Sequence, residues 1–242
     1  MRYKLISCEV LFREMCAVVA RSPHQIDVEF LPKGLHDIGG AKMCARLQEM
    51  ADAADPKIYD AVLMGYALCG NGIVGLRARE IPLVIPRAHD CIALLMGSRE
   101  RYRQYFEANP GVYYRSTGWL ERGKSLNQLV SQQTMLDGPL AQLIAKYGEE
   151  NGQYLFEELH QYRSAYSQLT FIETGVECDD RFEMEAREEA AAKNWRFEKI
   201  AGSLDIFARL VNGNWDDDFL IVAPGQKVTP SYDDGVIQIT GV

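Results

Sequence analysis

The feature that most constrains this fold is the alternation of short apolar segments with helical segments over the first 110 residues. Strand patterns occur in KLISC, IDVEFLP, YDAVLMGYAL and IPLVIP. Helical spacing occurs in LFREMCAVVARS, GAKMCARLQEMADAAD and DCIALLMGSRERYRQYFEANPG. Strands that alternate with helices form βαβ units, with a parallel sheet and helices on both faces. The sequence therefore predicts a three-layer α/β fold with a mainly parallel sheet.

The rest of the chain divides where this pattern changes. Residues 111–168 begin with the aromatic, glycine-rich GVYYRSTGWLERG and continue as polar helical segments, which predicts a helical insertion or cap. Alternation returns from Gln168, and VIQIT near the end is a candidate edge strand. We therefore expect a first α/β lobe over 1–110, a cap over 111–168, and a second α/β part over 169–242. That last part either completes the same sheet or forms a second lobe.

Charge and the chain ends narrow the function classes. Lys and Arg number 26 against 34 Asp and Glu, a net charge of −8, which disfavours general nucleic-acid binding. Apolar runs are too short for a membrane span, and MRYKLISCEVLF lacks a secretory pattern. We expect a cytoplasmic protein with reduced thiols. Among these thiols, Cys16 and Cys44 are predicted to be buried, and Cys178 is expected to be incidental.

Cysteine and histidine concentrate where the predicted strands end. Cys8 follows the first strand, Cys69 follows the third, and His89 and Cys91 follow the fourth. Ligands bind beyond the carboxyl ends of parallel strands, and thiolate and imidazole are zinc ligands. We therefore predict a metal centre on these four residues. Zinc is preferred; an iron–sulfur cluster on the cysteines, with His89 outside it, is the alternative. Semi-buried thiols without a metal are the structural alternative.

Further candidate site residues surround these ligands. Asn71 and Gly72 form a loop that either binds an anion or is a plain turn. Arg87 is a candidate for binding an anionic substrate. Asp90 and Glu9 are the candidate catalytic residues, although the simpler and slightly favoured role of Asp90 is a helix cap.

Aromatic residues form another group near the predicted site. Tyr114, with Tyr113 and Trp119, is expected either to cover the site or to pack as core. The letters of two nucleotide-binding patterns occur in the chain, GxGxxG as GNGIVG over 70–75 and GxxxxGK[ST] as GWLERGKS over 118–125. The serine-hydrolase pattern GxSxG does not occur.

The segments GYALCGNGIVGL, IPRAHDCIALLMGSRERY, NPGVYYRSTGW and FLIVAPGQ resemble a bacterial and archaeal family catalogued only as a domain of unknown function. The resemblance runs in order from Cys8 to Gln226, and Cys-Gly-Asn-Gly and Arg-Ala-His-Asp-Cys are its most specific parts. It implies a stand-alone soluble protein. It also implies an association with corrinoid-dependent methyl-transfer systems, with a corrinoid protein as a candidate partner.

Two functions follow from these expectations. The first is a metal-dependent enzyme that acts on a small anionic or amine-containing metabolite, with methyl or one-carbon transfer as the first reaction class to test. The second is a non-catalytic metal or cofactor carrier, or a chaperone, for a corrinoid methyltransferase system. An open coordination position beside a cavity favours the enzyme, whereas a closed ligand sphere favours the carrier.

Overall fold

The computed structural model describes residues 1–122, 140–164, 166–231, 233 and 235–240. Its strands are β1 Arg2–Cys8, β2 Gln25–Leu31, β3 Ala61–Gly65, β4 Leu83–Pro86, β5 Val112–Ser116, β6 Gln168–Glu173, β7 Arg196–Ala201, β8 Phe219–Val222, β9 Lys227–Pro230 and β10 Ile237–Thr240. Its helices are α1 Phe12–Val19, α2 Gly40–Asp52, α3 Cys91–Met96, α4 Arg99–Ala108, α5 Thr117–Glu121, α6 Leu140–Tyr147, α7 Glu149–Ser164, α8 Arg181–Ala192 and α9 Asp205–Asn212. Short 3-10 helices cover Glu9–Leu11 and Lys33–Ile38.

A five-stranded sheet in the order β2-β1-β3-β4-β8 forms the centre of the molecule. Its pairings are parallel except that β8 runs antiparallel to β4. Every residue of β3 and β4 is buried. Because successive side chains of a strand point to opposite faces, continuous burial means that both faces are covered. The prediction of an α/β fold with a mainly parallel sheet is confirmed.

The register of this sheet determines which loops meet. Ser7 lies beside Gly65, so β1 and β3 end at nearly the same level. Cys8, the last residue of β1, pairs with Leu31, the last residue of β2. The segments that follow β1, β2 and β3 therefore leave the sheet side by side. This is the edge at which the sequence predicts a site.

A second, three-stranded parallel sheet has the order β5-β6-β7. Its small core contains Leu120, Leu169 and Phe171. Residues 111–168 thus supply strand β5 as well as helices. The following part of the chain contributes β6 and β7 to this sheet and β8 to the central one. The segment VIQIT pairs as β10 with β9 in a separate hairpin.

One helix prediction was wrong. The segment from Asp90 to Gly111 forms α3 and α4 rather than a single helix. Gly97 has a left-handed φ of +76°, which ends α3, and the Ser98 side chain accepts the N–H of Arg101 to begin α4. A Cβ atom at Gly97 would lie 2.5 Å from the Cβ of Ser203. The close approach of another segment therefore favours a glycine where the helix breaks.

Over the described ranges, the helices are all too short or too polar to cross a bilayer.

Candidate functional site

Cys8, Cys69 and Cys91 line one small pocket at the carboxyl edge of the central sheet. Cys8 ends β1, Cys69 lies in the loop after β3, and Cys91 is the first residue of α3. The pocket has a cavity volume of about 20 Å³. Its other walls are mainly apolar, formed by Val10, Leu11, Leu35, Met43, Gly65, Ala67, Leu94 and Trp119, together with Lys33 and Tyr66. We call this the three-cysteine pocket.

The loop that carries Cys69 has an unusual backbone. Cys69, Gly70 and Asn71 have positive φ values of 43°, 64° and 68°. A left-handed conformation is unfavourable for a cysteine, and residues held in such conformations concentrate at functional sites. The N–H of Cys69 donates to the carbonyl of His89 at 2.9 Å, which ties this loop to the segment before α3. The two motifs, distant in sequence, therefore form one unit.

Within the same loop, Asn71 and Gly72 have different environments. Asn71 is exposed, and Gly72 is buried against Met43, whose sulfur would lie 2.1 Å from a Cβ at Gly72. The N–H of Gly72 is bonded to the carbonyl of Leu68 at 2.9 Å. Gly72 therefore has a packing role, and the role of Asn71 in ligand binding stays a prediction.

Backbone N–H groups partly offset the effect of burial on two of the three cysteines in the three-cysteine pocket. The backbone N–H of Val10 lowers the pKa of Cys8, and the backbone N–H groups of Ala67 and Cys91 lower the pKa of Cys69. Such N–H donors stabilise negative charge on sulfur and are the usual outer contacts of metal-bound thiolates.

In the absence of a cation, burial keeps these thiols protonated. It raises the pKa of Cys8 to about 12 and the pKa of Cys69 to about 11. Burial also raises the pKa of Cys91 well above its usual value, and the neighbouring Cys69 adds to that effect. A nucleophilic cysteine requires the opposite, a lowered pKa.

His89 does not line the three-cysteine pocket. Its side chain is exposed and borders a different cavity of about 490 Å³, together with Tyr102, Arg99 and Asp218. The separation arises because α3 begins at Cys91, so the helical turn directs Cys91 away from His89. Across the described ranges, no group of three or more His, Cys, Asp or Glu side chains is arranged so that it could hold a metal ion as placed.

Asp90 and Glu9 both make structural hydrogen bonds. Asp90 accepts the N–H of Ala93 at 3.0 Å and the hydroxyl of Tyr102 at 3.1 Å. The helix-cap role of Asp90 is confirmed. Glu9 accepts the backbone N–H of Lys33 at 2.9 Å, which joins the loops after β1 and β2. Catalytic roles for the two carboxylates stay predictions.

Arg87 lies outside the three-cysteine pocket. Its guanidinium group donates to the carbonyl groups of Gly235 and Ile237 in the β9–β10 region. It also donates to the carbonyl of Phe219 at 3.4 Å. These bonds attach the terminal hairpin to the end of β4. The substrate-binding role of Arg87 stays a prediction, which these anchoring bonds do not test.

The aromatic residues after α4 also have separate positions. Trp119 is a wall of the three-cysteine pocket, whereas Tyr113 and Tyr114 lie on β5. The Tyr114 ring packs 6.4 Å from the ring of Tyr102 and 6.2 Å from that of Tyr105. Trp119 can thus contact a ligand in the pocket, and the role of Tyr114 in substrate binding stays a prediction.

Tyr66 and Lys33 are pocket residues that the sequence patterns did not single out. Both follow strand ends, and this was the available signal, since Tyr66 comes directly after β3 and Lys33 shortly after β2. The Lys33 ammonium lies 4.5 Å from the centre of the Trp119 ring.

The remaining thiols lie outside the pocket. Cys16 is exposed, so the prediction that it is buried was wrong; α1 buries Glu14, Met15 and Val18 instead. Cys44 is half-buried and Cys178 is exposed. All six cysteines are free thiols in the structure.

Comparison with known proteins places the chain in a family. A family model described as "Protein of unknown function (DUF1638)" matches residues 30–211, which include Cys69 and Cys91 but not Cys8. No curated protein and no solved structure matches the chain. Because the family model covers well over half of the sequence, the chain belongs to the DUF1638 family of proteins of unknown function.

Proposed function

We propose that the three-cysteine pocket binds one soft metal ion, with zinc as the first candidate, through Cys8, Cys69 and Cys91. The observation that carries this proposal is that three separate strand ends each place a cysteine in one pocket. Thiolate sulfur is a preferred ligand of zinc. The backbone N–H groups beside Cys8 and Cys69 and the left-handed backbone of Cys69 support the same assignment.

The size of the pocket favours a single ion over a cluster. A cavity needs roughly 10–15 Å³ to hold one water molecule. The three-cysteine pocket has about 20 Å³, enough for one ion or one small molecule. An iron–sulfur cluster contains several iron and sulfide atoms and needs more room. With His89 outside the pocket, three protein ligands leave a fourth position for water or substrate.

Binding requires the sulfurs to converge further. As placed, they share a pocket without forming a metal-binding geometry within the described residues. Cysteine has one side-chain torsion, and rotation between its staggered positions changes where the sulfur lies. We propose that the ion draws the sulfurs together by such rotations, as expected where metal binding completes a site.

The proposed activity is that of a metalloenzyme acting on a small anionic or amine-containing metabolite. A bound ion would act as a Lewis acid or lower the pKa of a bound thiol or water. Methyl or one-carbon transfer is the first class to test, with a corrinoid protein as a candidate partner, on the basis of the family resemblance. Asp90, Glu9, Arg87, Asn71 and Tyr114 are the residues to vary for catalysis and substrate binding. We propose a cytoplasmic location, in which thiols stay reduced.

Anaerobic purification followed by elemental analysis tests the metal centre. We expect one zinc ion per chain in the natural protein. Cys69→Ser should lose the ion and remain folded by circular dichroism, because serine differs from cysteine by a single atom. Cys16→Ser is the matched control, since Cys16 is exposed and lies outside the pocket. Full metal content in Cys69→Ser, or no stoichiometric metal in the natural protein, would refute the proposal.

A metal carrier is the second candidate, favoured by the same small volume. About 20 Å³ leaves little space for a substrate beside an ion. A carrier needs only the ligands, whereas an enzyme needs a fourth position that a further molecule can reach. Titration of the cobalt-loaded chain with a small anion or amine separates the two, because the visible spectrum of a carrier with a closed ligand sphere does not respond to the added compound.

A further inference from the structure

One wall of the three-cysteine pocket is held in place by a contact between α1 and α5. The Arg13 guanidinium of α1 donates two hydrogen bonds of 2.8 Å to the Glu121 carboxylate of α5. A Cβ atom at Gly118 of α5 would lie 1.7 Å from the carbonyl oxygen of Val10, just before α1. Trp119, the next residue of α5, lines the three-cysteine pocket. We call this contact the α1–α5 seam; a movement of α5 away from α1 would open the pocket.

A buried carboxyl group lies beside the α1–α5 seam, where the loop after β6 meets α1. Glu14 is fully buried, and one of its oxygens accepts the Thr174 hydroxyl at 2.9 Å. The other oxygen has no hydrogen-bond partner among the described residues. The carboxylate of Glu177 accepts the backbone N–H of the same threonine at 3.0 Å. A charged Glu14 would thus be buried, half-paired and close to a second negative charge, so this arrangement favours its protonated form.

The charged groups around α1 offer Glu14 little compensation. Arg13 and Glu177 are the charged residues that act on Glu14, and the Arg13 guanidinium is already bound to Glu121. Charged residues on the other elements packed against α1 have partners of their own. These residues are Arg2 and Lys4 of β1, which pair with Asp27 and Glu29, Glu9, which accepts the N–H of Lys33, and Asp205 and Arg209 of α9, which pair with each other.

We propose that the proton on Glu14 holds the α1–α5 seam closed, and that loss of this proton opens the seam and admits small reagents to the three-cysteine pocket. An ionised Glu14 needs water and repels Glu177. Separation of α5 and the loop after β6 from α1 provides the water and increases the distance between the two carboxylates. The pocket thiols are therefore protected at low pH and accessible at high pH, whether or not the pocket holds an ion.

Proton linkage fixes the direction and the size of the effect. In the closed seam, burial raises the pKa of Glu14 to about 7; Glu177 adds to the rise, while the Thr174 hydrogen bond and Arg13 oppose it. In an open seam the carboxyl group is hydrated, and its pKa returns to the ordinary value of about 4.5. The open fraction therefore increases with pH, by about tenfold or more between about pH 5.5 and about pH 8.5.

Labelling of the full chain with iodoacetamide, followed by peptide mass spectrometry, tests this proposal. A chelator is present throughout, so that no metal ion protects the thiols. At each pH, the labelling rate of the pocket cysteines in the natural protein is divided by their rate in Glu14→Gln, which cancels the pH dependence of the thiols themselves. We expect this ratio to rise by about tenfold or more between about pH 5.5 and about pH 8.5. Cys16, which is exposed, should label equally in both proteins, and the surface variant Glu188→Gln should label like the natural protein.

Two further measurements separate opening of the seam from a structural role of Glu14. Opening of the seam exposes little surface, so low, non-denaturing urea should leave the labelling rate unchanged, whereas labelling through global unfolding accelerates with urea. Thr174→Val removes a hydrogen bond that favours the ionised form of Glu14, so the rise in labelling should move to higher pH. This second variant decides the question alone should Glu14→Gln not fold. A ratio that does not change with pH, labelling that accelerates in low urea, or a Thr174→Val profile that does not move to higher pH overturns the proposal.

Discussion

Replacing Glu14 with glutamine should change how the stability of the protein depends on pH. Glu14 lies in α1 and is fully buried. One carboxylate oxygen accepts the hydroxyl of Thr174 at 2.9 Å, and the other has no hydrogen-bond partner over the described ranges. Burial raises the pKa of Glu14 to about 7, and nearby Glu177 adds to the rise, while the Thr174 hydrogen bond opposes it.

The direction of the effect follows from proton linkage. The raised pKa means that the folded protein holds this proton more tightly than the unfolded chain does. The associated stability is fully present below the ordinary glutamate pKa of about 4.5 and is lost as the pH rises through about 7. The difference between these pKa values corresponds to about 3 kcal/mol. Glutamine has similar volume and no charge, so Glu14→Gln should lack this dependence.

Urea unfolding of both proteins between about pH 5 and about pH 8 measures the effect. Relative to the natural protein, Glu14→Gln should gain up to about 3 kcal/mol of unfolding free energy toward the upper end of this range. Glu188→Gln, at an exposed position, is the control and should show no such trend. A constant difference between Glu14→Gln and the natural protein across this range would show that Glu14 is not held protonated by burial.

Two further predictions concern the segments that shape the three-cysteine pocket. Asp90→Ala should lower the unfolding free energy by about 1–2 kcal/mol, because α3 loses its cap. Asp90→Asn should retain most of the stability of the natural protein, because asparagine also caps helices. Equal losses of unfolding free energy for the two variants in urea would contradict the cap role. Gly118→Ala should destabilise the protein by about 2–4 kcal/mol, because the new Cβ would lie 1.7 Å from the Val10 carbonyl oxygen. An unchanged midpoint of thermal unfolding would contradict this close approach.

The sequence by itself determined the α/β class and the edge of the sheet where the cysteines lie. Apolar strand segments alternate with helical ones. The spacing of apolar residues within each segment indicates helix or strand, and this spacing can be read from the sequence alone. Because the carboxyl ends of parallel strands share an edge, the positions of Cys8, Cys69 and Cys91 after their strands were enough to predict that they meet. The cap role of Asp90 was also predictable from the sequence, because a helix cap bonds the N–H groups of the helical turn that directly follows it.

Only the tertiary structure decided which side chains share the pocket. His89 and Cys91 are two residues apart, yet the start of α3 between them directs one to the surface and the other to the pocket. The break at Gly97 depends on Ser203, and the exposure of Cys16 depends on which face of α1 packs. Tyr66 is buried only because segments distant in sequence pack over it. Side-chain direction and burial are set by contacts between elements, so local sequence patterns do not contain them.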